Sequence, residues 1–160
     1  MAGMFDAKEL VKVAIQDEIT GAAFYAGAAA KSGNPELKET FVALADQERG
    51  HRKRFEEMLD AMGDYQSPEQ YPGEYTEYLN SLATDRAFPD EAAAVAAVGA
   101  CAGDAEVLDL SLRIERDTLK LMEEMQKLVA ERDRAVVETL ADEERSHIEV
   151  LTAAREGLAG

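Results

Sequence analysis

Apolar and small residues recur three and four positions apart along most of the chain, the period of a helix with one buried face. Leu10, Val11, Ala14, Ile15, Ala22 and Tyr25 mark such a face between Phe5 and Lys31, predicting a helix over about 5–31. Residues 32–36 interrupt it: Gly33 suits a helix end, Asn34 an N-cap, and Pro35 the first helical position, where its missing N–H costs little. A second helix is predicted over about 35–62. Residues 63–89 collect Gly63, Pro68, Pro72, Gly73 and Pro89 and read as a long connection. A structureless loop of that length is unusual in a compact domain, so a short helix is expected over about 74–83. The tyrosines at 65, 71, 75 and 78 would pack it against the other helices or against a second subunit. Helical character then runs over about 90–130, with a break expected near Gly99 to Gly103, and a last helix over about 131–157 follows after a very short turn.

Short, long and short connections describe two antiparallel helical hairpins joined by a crossover, the all-α arrangement of a ferritin-like four-helix bundle. The second half echoes the first at an offset of 96 or 97 residues: Ile15 matches Leu112, Glu18 Glu115, Leu44 Leu140, Glu48 Glu144, His51 His147 and Phe55 Leu151. A period this long is no solenoid and fits two related hairpins facing each other.

The 160 residues suit a single domain spanning 1–160. The run Ala92 to Gly103 is too short to span a bilayer, and the start MAGMFDAKEL has neither a basic region nor a cleavage pattern, so a soluble, cytoplasmic protein is expected. Its formal charge of −16 disfavours nucleic acid and anionic membranes as partners and favours cations. Cys101 is the sole cysteine, which excludes an internal disulfide and a four-cysteine metal site, and its alanine neighbours suggest a small buried filler. Any metal must therefore be held by Glu, Asp and His.

Both histidines of the chain follow a glutamate by three residues, as ERGH at 48–51 and ERSH at 144–147. Residues three apart share a helix face, so each Glu and His can hold one ion together. The shared face is the apolar one, set by Phe41, Leu44 and Phe55 in one copy and Val137, Leu140 and Leu151 in the other. Buried carboxylates need compensation, and a cation supplies it. Glu18 and Glu115 lie on the apolar faces of the first and third long segments, so Glu18, Glu48, His51, Glu115, Glu144 and His147 are expected to converge on two divalent ions, with two of the glutamates bridging. Taken singly, each motif reads more readily as a solvated helix face; the repeated frame decides for a metal site. Gln47 and Glu143, which precede the motif glutamates, are candidates to reach across to the opposite histidine. The basic run Arg49, Arg52, Lys53 and Arg54, interleaved with acids, reads as a solvated helix face rather than a docking patch.

The stretches IQDEITGAAFY, PELKETFVALADQERGHRKRFEEM, LRIERDTLKLM and ADEERSH resemble the two hairpins of the rubrerythrin branch of the ferritin-like superfamily. The resemblance places that family's iron ligands on the same six residues. It implies two iron ions, zinc or manganese being possible occupants, and a di-iron oxidoreductase that reduces peroxide or dioxygen. Tyr25 would hydrogen-bond a ligand or the oxidant, although as a core aromatic it can equally be filling space. Two departures stand out: Cys101 alone cannot build the four-cysteine iron centre common in that family, so electrons would come from a separate donor protein. Thr118 stands where those proteins usually carry an additional glutamate associated with peroxide chemistry. An iron-storage protein and a structural bundle with a non-redox metal remain the alternatives, and a homodimer is the expected assembly.

Overall fold

Local capping chemistry sets where the helices of this computed structural model begin and end. The structure describes residues 7–64 and 73–159, the side chain of Ala159 excepted; Tyr65, Pro68, Tyr71 and Pro72 lie outside them. Helix α1 runs Ala7–Lys31 and α2 Pro35–Met62. The Asn34 side chain caps α2 by accepting from the N–H groups of Glu36 (3.0 Å) and Leu37 (3.3 Å), and Pro35 occupies the first turn. At the other end, Gly63 takes a φ of 51°, a left-handed value that a side chain would resist. Helices α3 (Gly73–Thr84), α4 (Glu91–Ala100), α5 (Asp104–Leu128) and α6 (Glu131–Ala159) follow, and among the described residues there is no strand.

The segment 90–130, expected as one interrupted helix, is thus two. Extended backbone at Cys101 and Gly103 separates α4 from α5, and Glu106 accepts from the N–H of Ala102 at 2.8 Å. The carbonyls freed at the end of α4 are taken by Lys31, whose ammonium donates to Val98 (2.9 Å), Gly99 (3.2 Å) and Cys101. A cation at the end of one helix therefore caps the C-terminus of another and ties α4 along α1. Cys101 is half-buried there, its Sγ 3.3 Å from the Ala97 carbonyl.

Helices α1 and α2 form one antiparallel hairpin and α5 and α6 the other, with α1 beside α5 and α2 beside α6. This is the ferritin-like four-helix bundle, with α3 and α4 as additional short helices of the crossover. Helix α3 seats Leu79 in the core, and Tyr75 donates to Glu124 at 2.7 Å, so this tyrosine packs against the bundle. Tyr78 is exposed. Two apolar clusters fill the bundle at different depths. One contains Leu10, Ala14, Phe55, Leu121, Met122 and Leu140; the other contains Phe24, Tyr25, Phe41, Leu44, Leu108 and Leu151. Each leucine, methionine and phenylalanine among them contributes about 1.5–3 kcal/mol by leaving water. Along every long helix, one polar layer falls between the two clusters.

Candidate metal centre

That layer is made by Glu18 of α1, Glu48 and His51 of α2, Glu115 of α5, and Glu144 and His147 of α6, all buried. On α1, Glu18 is four residues from Ala14 in one cluster and six from Phe24 in the other, so the helical period that builds the core also delivers the carboxylate into it. The two Glu-x-x-His motifs act likewise from α2 and α6. Their imidazoles face each other nearly in parallel, with ring centroids 5.4 Å apart.

Two groups of donor atoms form, each with its members within 4.8 Å of one another: Glu18, Glu48, His51 and Glu144, and Glu48, Glu115, Glu144 and His147. Glu48 and Glu144 belong to both. The two oxygens of Glu144 divide between the histidines, Oε1 lying 2.9 Å from His51 Nδ1 and Oε2 3.3 Å from His147 Nδ1. Glu48 Oε1 and Glu115 Oε1 approach His147 Nδ1 to 3.3 and 3.5 Å. Which two glutamates are shared cannot be read from spacing, because it depends on how α2 and α6 face one another.

The fit of this set to cations rests on its unsatisfied atoms. Both oxygens of Glu18 and of Glu144, Oε1 of Glu48, and Nδ1 of both histidines are buried without a hydrogen-bond partner. Buried polar atoms are otherwise nearly always paired, and an isolated buried carboxylate is costly. Each histidine instead directs Nε2 outward to an acceptor. His51 Nε2 lies 2.6 Å from Glu143 Oε2, and His147 Nε2 lies 2.5 Å from Gln47 Oε1. In the neutral ring those bonds place the proton on Nε2 and leave a lone pair on Nδ1 pointing inward. Oxygen and imidazole donors of this kind suit divalent first-row metals.

Without a cation the electrostatics are strained. Burial, then the charge of Glu48, raises Glu18 well above the ordinary carboxylate range, and burial with the charge of Glu115 does the same to Glu144. Burial works to lower the His147 pKa, yet its contacts with Glu115, Glu144 and Glu48 push it up to about 12. Burial likewise opposes ionisation of Glu115, but its contacts with Glu144 and His147 and the Tyr25 hydroxyl outweigh it and lower its pKa. Positive charge is what this layer demands.

Tyr25, fully buried, donates its hydroxyl to Glu115 Oε1. Thr118 is buried one turn beyond Glu115. Three residues without a place in the expected site also adjoin it. Gly21 lies so close to Glu48 that a Cβ there would fall 2.9 Å from Glu48 Oε2. Arg86, in the connection before α4, donates to Asp17, the neighbour of Glu18, through Nε (3.1 Å) and Nη2. Arg54 donates to Glu143 at 3.0 Å. Only the glycine three residues after a candidate ligand was a signal visible in the sequence. The basic run on α2 spreads into separate ion pairs, Arg49 with Asp46, Arg52 with Glu56 and Arg54 with Glu143, as a solvated helix face does.

Bundle and polar layer together define a ferritin-like protein with two adjoining carboxylate–histidine clusters of the di-iron type. The rubrerythrin family model matches residues 9–97, more than half of the chain, and the protein belongs to the rubrerythrin family. The match ends before α5, so the second motif rests on the internal repeat and the three-dimensional arrangement. The fold is similar to the crystal structure of a candidate ferritin-like diiron-carboxylate protein from Thermotoga maritima, with 26% identity over 95% of each chain and a TM-score of 0.72. It is also similar to the solved structure of a hypothetical protein from Pyrococcus furiosus, at 22% identity over 97% of this chain and 91% of that one, with a TM-score of 0.68; this second likeness bears on the fold alone. No curated protein matches the chain. None of the helices is long and apolar enough to cross a membrane among the described residues.

Proposed function

We propose that this protein is a di-iron oxidoreductase that reduces peroxide or dioxygen, with Glu18, Glu48, His51, Glu115, Glu144 and His147 as the iron ligands. The observation that carries this reading is the pair of inward Nδ1 atoms and the unpartnered carboxylate oxygens facing them, a donor set that fits divalent cations. When bound, two iron(II) ions supply the two electrons that the oxidant takes up. Glu18 and His51 would hold one ion and Glu115 and His147 the other, with Glu48 and Glu144 belonging to both donor groups. Glu143 and Gln47 fix the ring orientation of His51 and His147. Tyr25 holds a proton at Glu115 and is the buried donor available to a reduced oxidant. The two apolar clusters keep water from the layer between them.

Cys101 is the only cysteine in the 160 residues, so they hold no four-cysteine iron centre, and a separate protein re-reduces the irons. A cytoplasmic homodimer completes the reading; light scattering tests the assembly, and a shell of many subunits would favour iron storage instead. Metal analysis of protein taken directly from its native host should return two irons per chain. The iron(II)-loaded protein should consume peroxide or dioxygen, and Glu115→Ala should abolish this. Equal consumption by variant and wild type, or zinc in place of iron in the native material, would sink the proposal.

A further inference from the structure

The internal repeat duplicates the six donors, but it does not duplicate what stands behind them. At the repeat offset Gln47 corresponds to Glu143 and Tyr25 to Met122. Both differences touch the centre. His51 Nε2 meets a carboxylate, Glu143 Oε2 at 2.6 Å, whereas His147 Nε2 meets the neutral amide oxygen of Gln47. A carboxylate draws the Nε2 proton more strongly and leaves more electron density on Nδ1, making His51 the more basic ligand. Arg54 tempers Glu143 from its other oxygen, at 3.0 Å, but from a half-exposed position where solvent screens it.

The terminal glutamates differ in the same direction. No hydroxyl donates to either oxygen of Glu18, whereas Glu115 Oε1 accepts the Tyr25 hydroxyl, which draws charge out of the carboxylate. Met122 has no O–H or N–H with which to treat Glu18 alike. With Glu48 and Glu144 common to both positions, the remaining pair Glu18 and His51 is the stronger and the pair Glu115 and His147 the weaker.

We infer that the two metal positions are unequal: a divalent cation enters the Glu18–His51 position first and binds it more tightly, and Glu143 and Tyr25 set the difference. The inference rests on the reading that the six donors hold two ions. Glu143 and Tyr25 are positioning residues in this role, since they act on the ion through His51 and Glu115.

The test is a titration of metal-free protein with cobalt(II), followed by calorimetry and by the visible absorption of the bound ion. Repulsion between two ions that share Glu48 and Glu144 would separate the steps even in a symmetric centre. The assignment of the tight step therefore decides the question. His147→Ala should keep the wild-type affinity for the first ion, and His51→Ala should lower it at least tenfold. Glu143→Gln should weaken the first step by about tenfold and spare the second. Tyr25→Phe should strengthen the second step severalfold and spare the first. The exchange Gln47→Glu with Glu143→Gln should move the tight step to the His147 position. Equal first-ion affinity in the two histidine variants would overturn the inference while leaving the dinuclear reading intact. Fewer than two ions per wild-type chain would overturn both.

Discussion

Gly21→Ala should separate the stability of this protein from its capacity to bind metal. Gly21 lies within α1, where alanine is favoured over glycine by about 1 kcal/mol, and no strained φ at this position opposes the change. For a chain of this length that gain raises Tm by about 2–4 °C in the metal-free protein. The cost appears at the centre. The new methyl would sit 2.9 Å from Glu48 Oε2, and ordinary contact begins at 3.4 Å, so the carboxylate must retreat by about 0.5 Å. Rotation of a flexible side chain absorbs this cheaply, which is why the fold tolerates it. Metal–ligand distances, however, hold to about 0.2 Å. Glu48 belongs to both donor groups, so its displacement weakens both positions. The expected loss is about tenfold or more in affinity for each ion, measured by calorimetry with zinc(II), alongside a Tm that does not fall. Wild-type affinity for both ions in the alanine variant would refute the reasoning, because Glu48 would then have room to spare.

A pH series on metal-free protein tests the electrostatics of the polar layer. Glu18 and Glu144 have folded-state pKa values raised above the ordinary 4.5, so the folded metal-free chain binds more protons than the unfolded one and loses stability as pH rises above that value. His147, raised from 6.5 to about 12, adds in the same direction: its contribution is full below about pH 6.5 and fades as pH climbs toward 12. The metal-free Tm should therefore fall between pH 5 and pH 8, and the rise in Tm on adding zinc(II) should grow over that range as the cations displace protons; a metal-free Tm that climbs with pH would contradict this. Asn34→Ala removes the acceptor of two N–H groups at the start of α2 and should cost about 1 kcal/mol, read as a Tm lower by about 2–4 °C with two-ion binding retained.

The four long helices and their order were readable from the sequence because amphipathic periodicity is a local property, and Asn34-Pro35 marks a helix start without help from the fold. The convergence of the six buried polar residues was foreseen from their place on apolar faces, since a residue in phase with the core must point into it. What stayed hidden depends on contacts between helices. The end of α4 is settled by Lys31, about 70 residues away in sequence, through carbonyl contacts that leave no compositional trace. The sharing of Glu48 and Glu144, the approach of Gly21 to Glu48 and the bond from Tyr25 to Glu115 depend on the relative rotation of neighbouring helices. The crossing pairs of Gln47 with His147 and Glu143 with His51 were expected from adjacency to the motifs, and both form.

Each hairpin brings to the centre two glutamates and one histidine, half of the set: Glu18, Glu48 and His51 from one, Glu115, Glu144 and His147 from the other. A chain of half this length, paired two-fold with its own copy, would present all six donors, but every residue behind them would be forced to occur twice. Joining the halves in one polypeptide lifts that constraint. A carboxylate can then stand behind one imidazole and an amide behind the other, and a tyrosine can address one carboxylate alone. Duplication supplies the two sets of donors; fusion lets selection tell them apart.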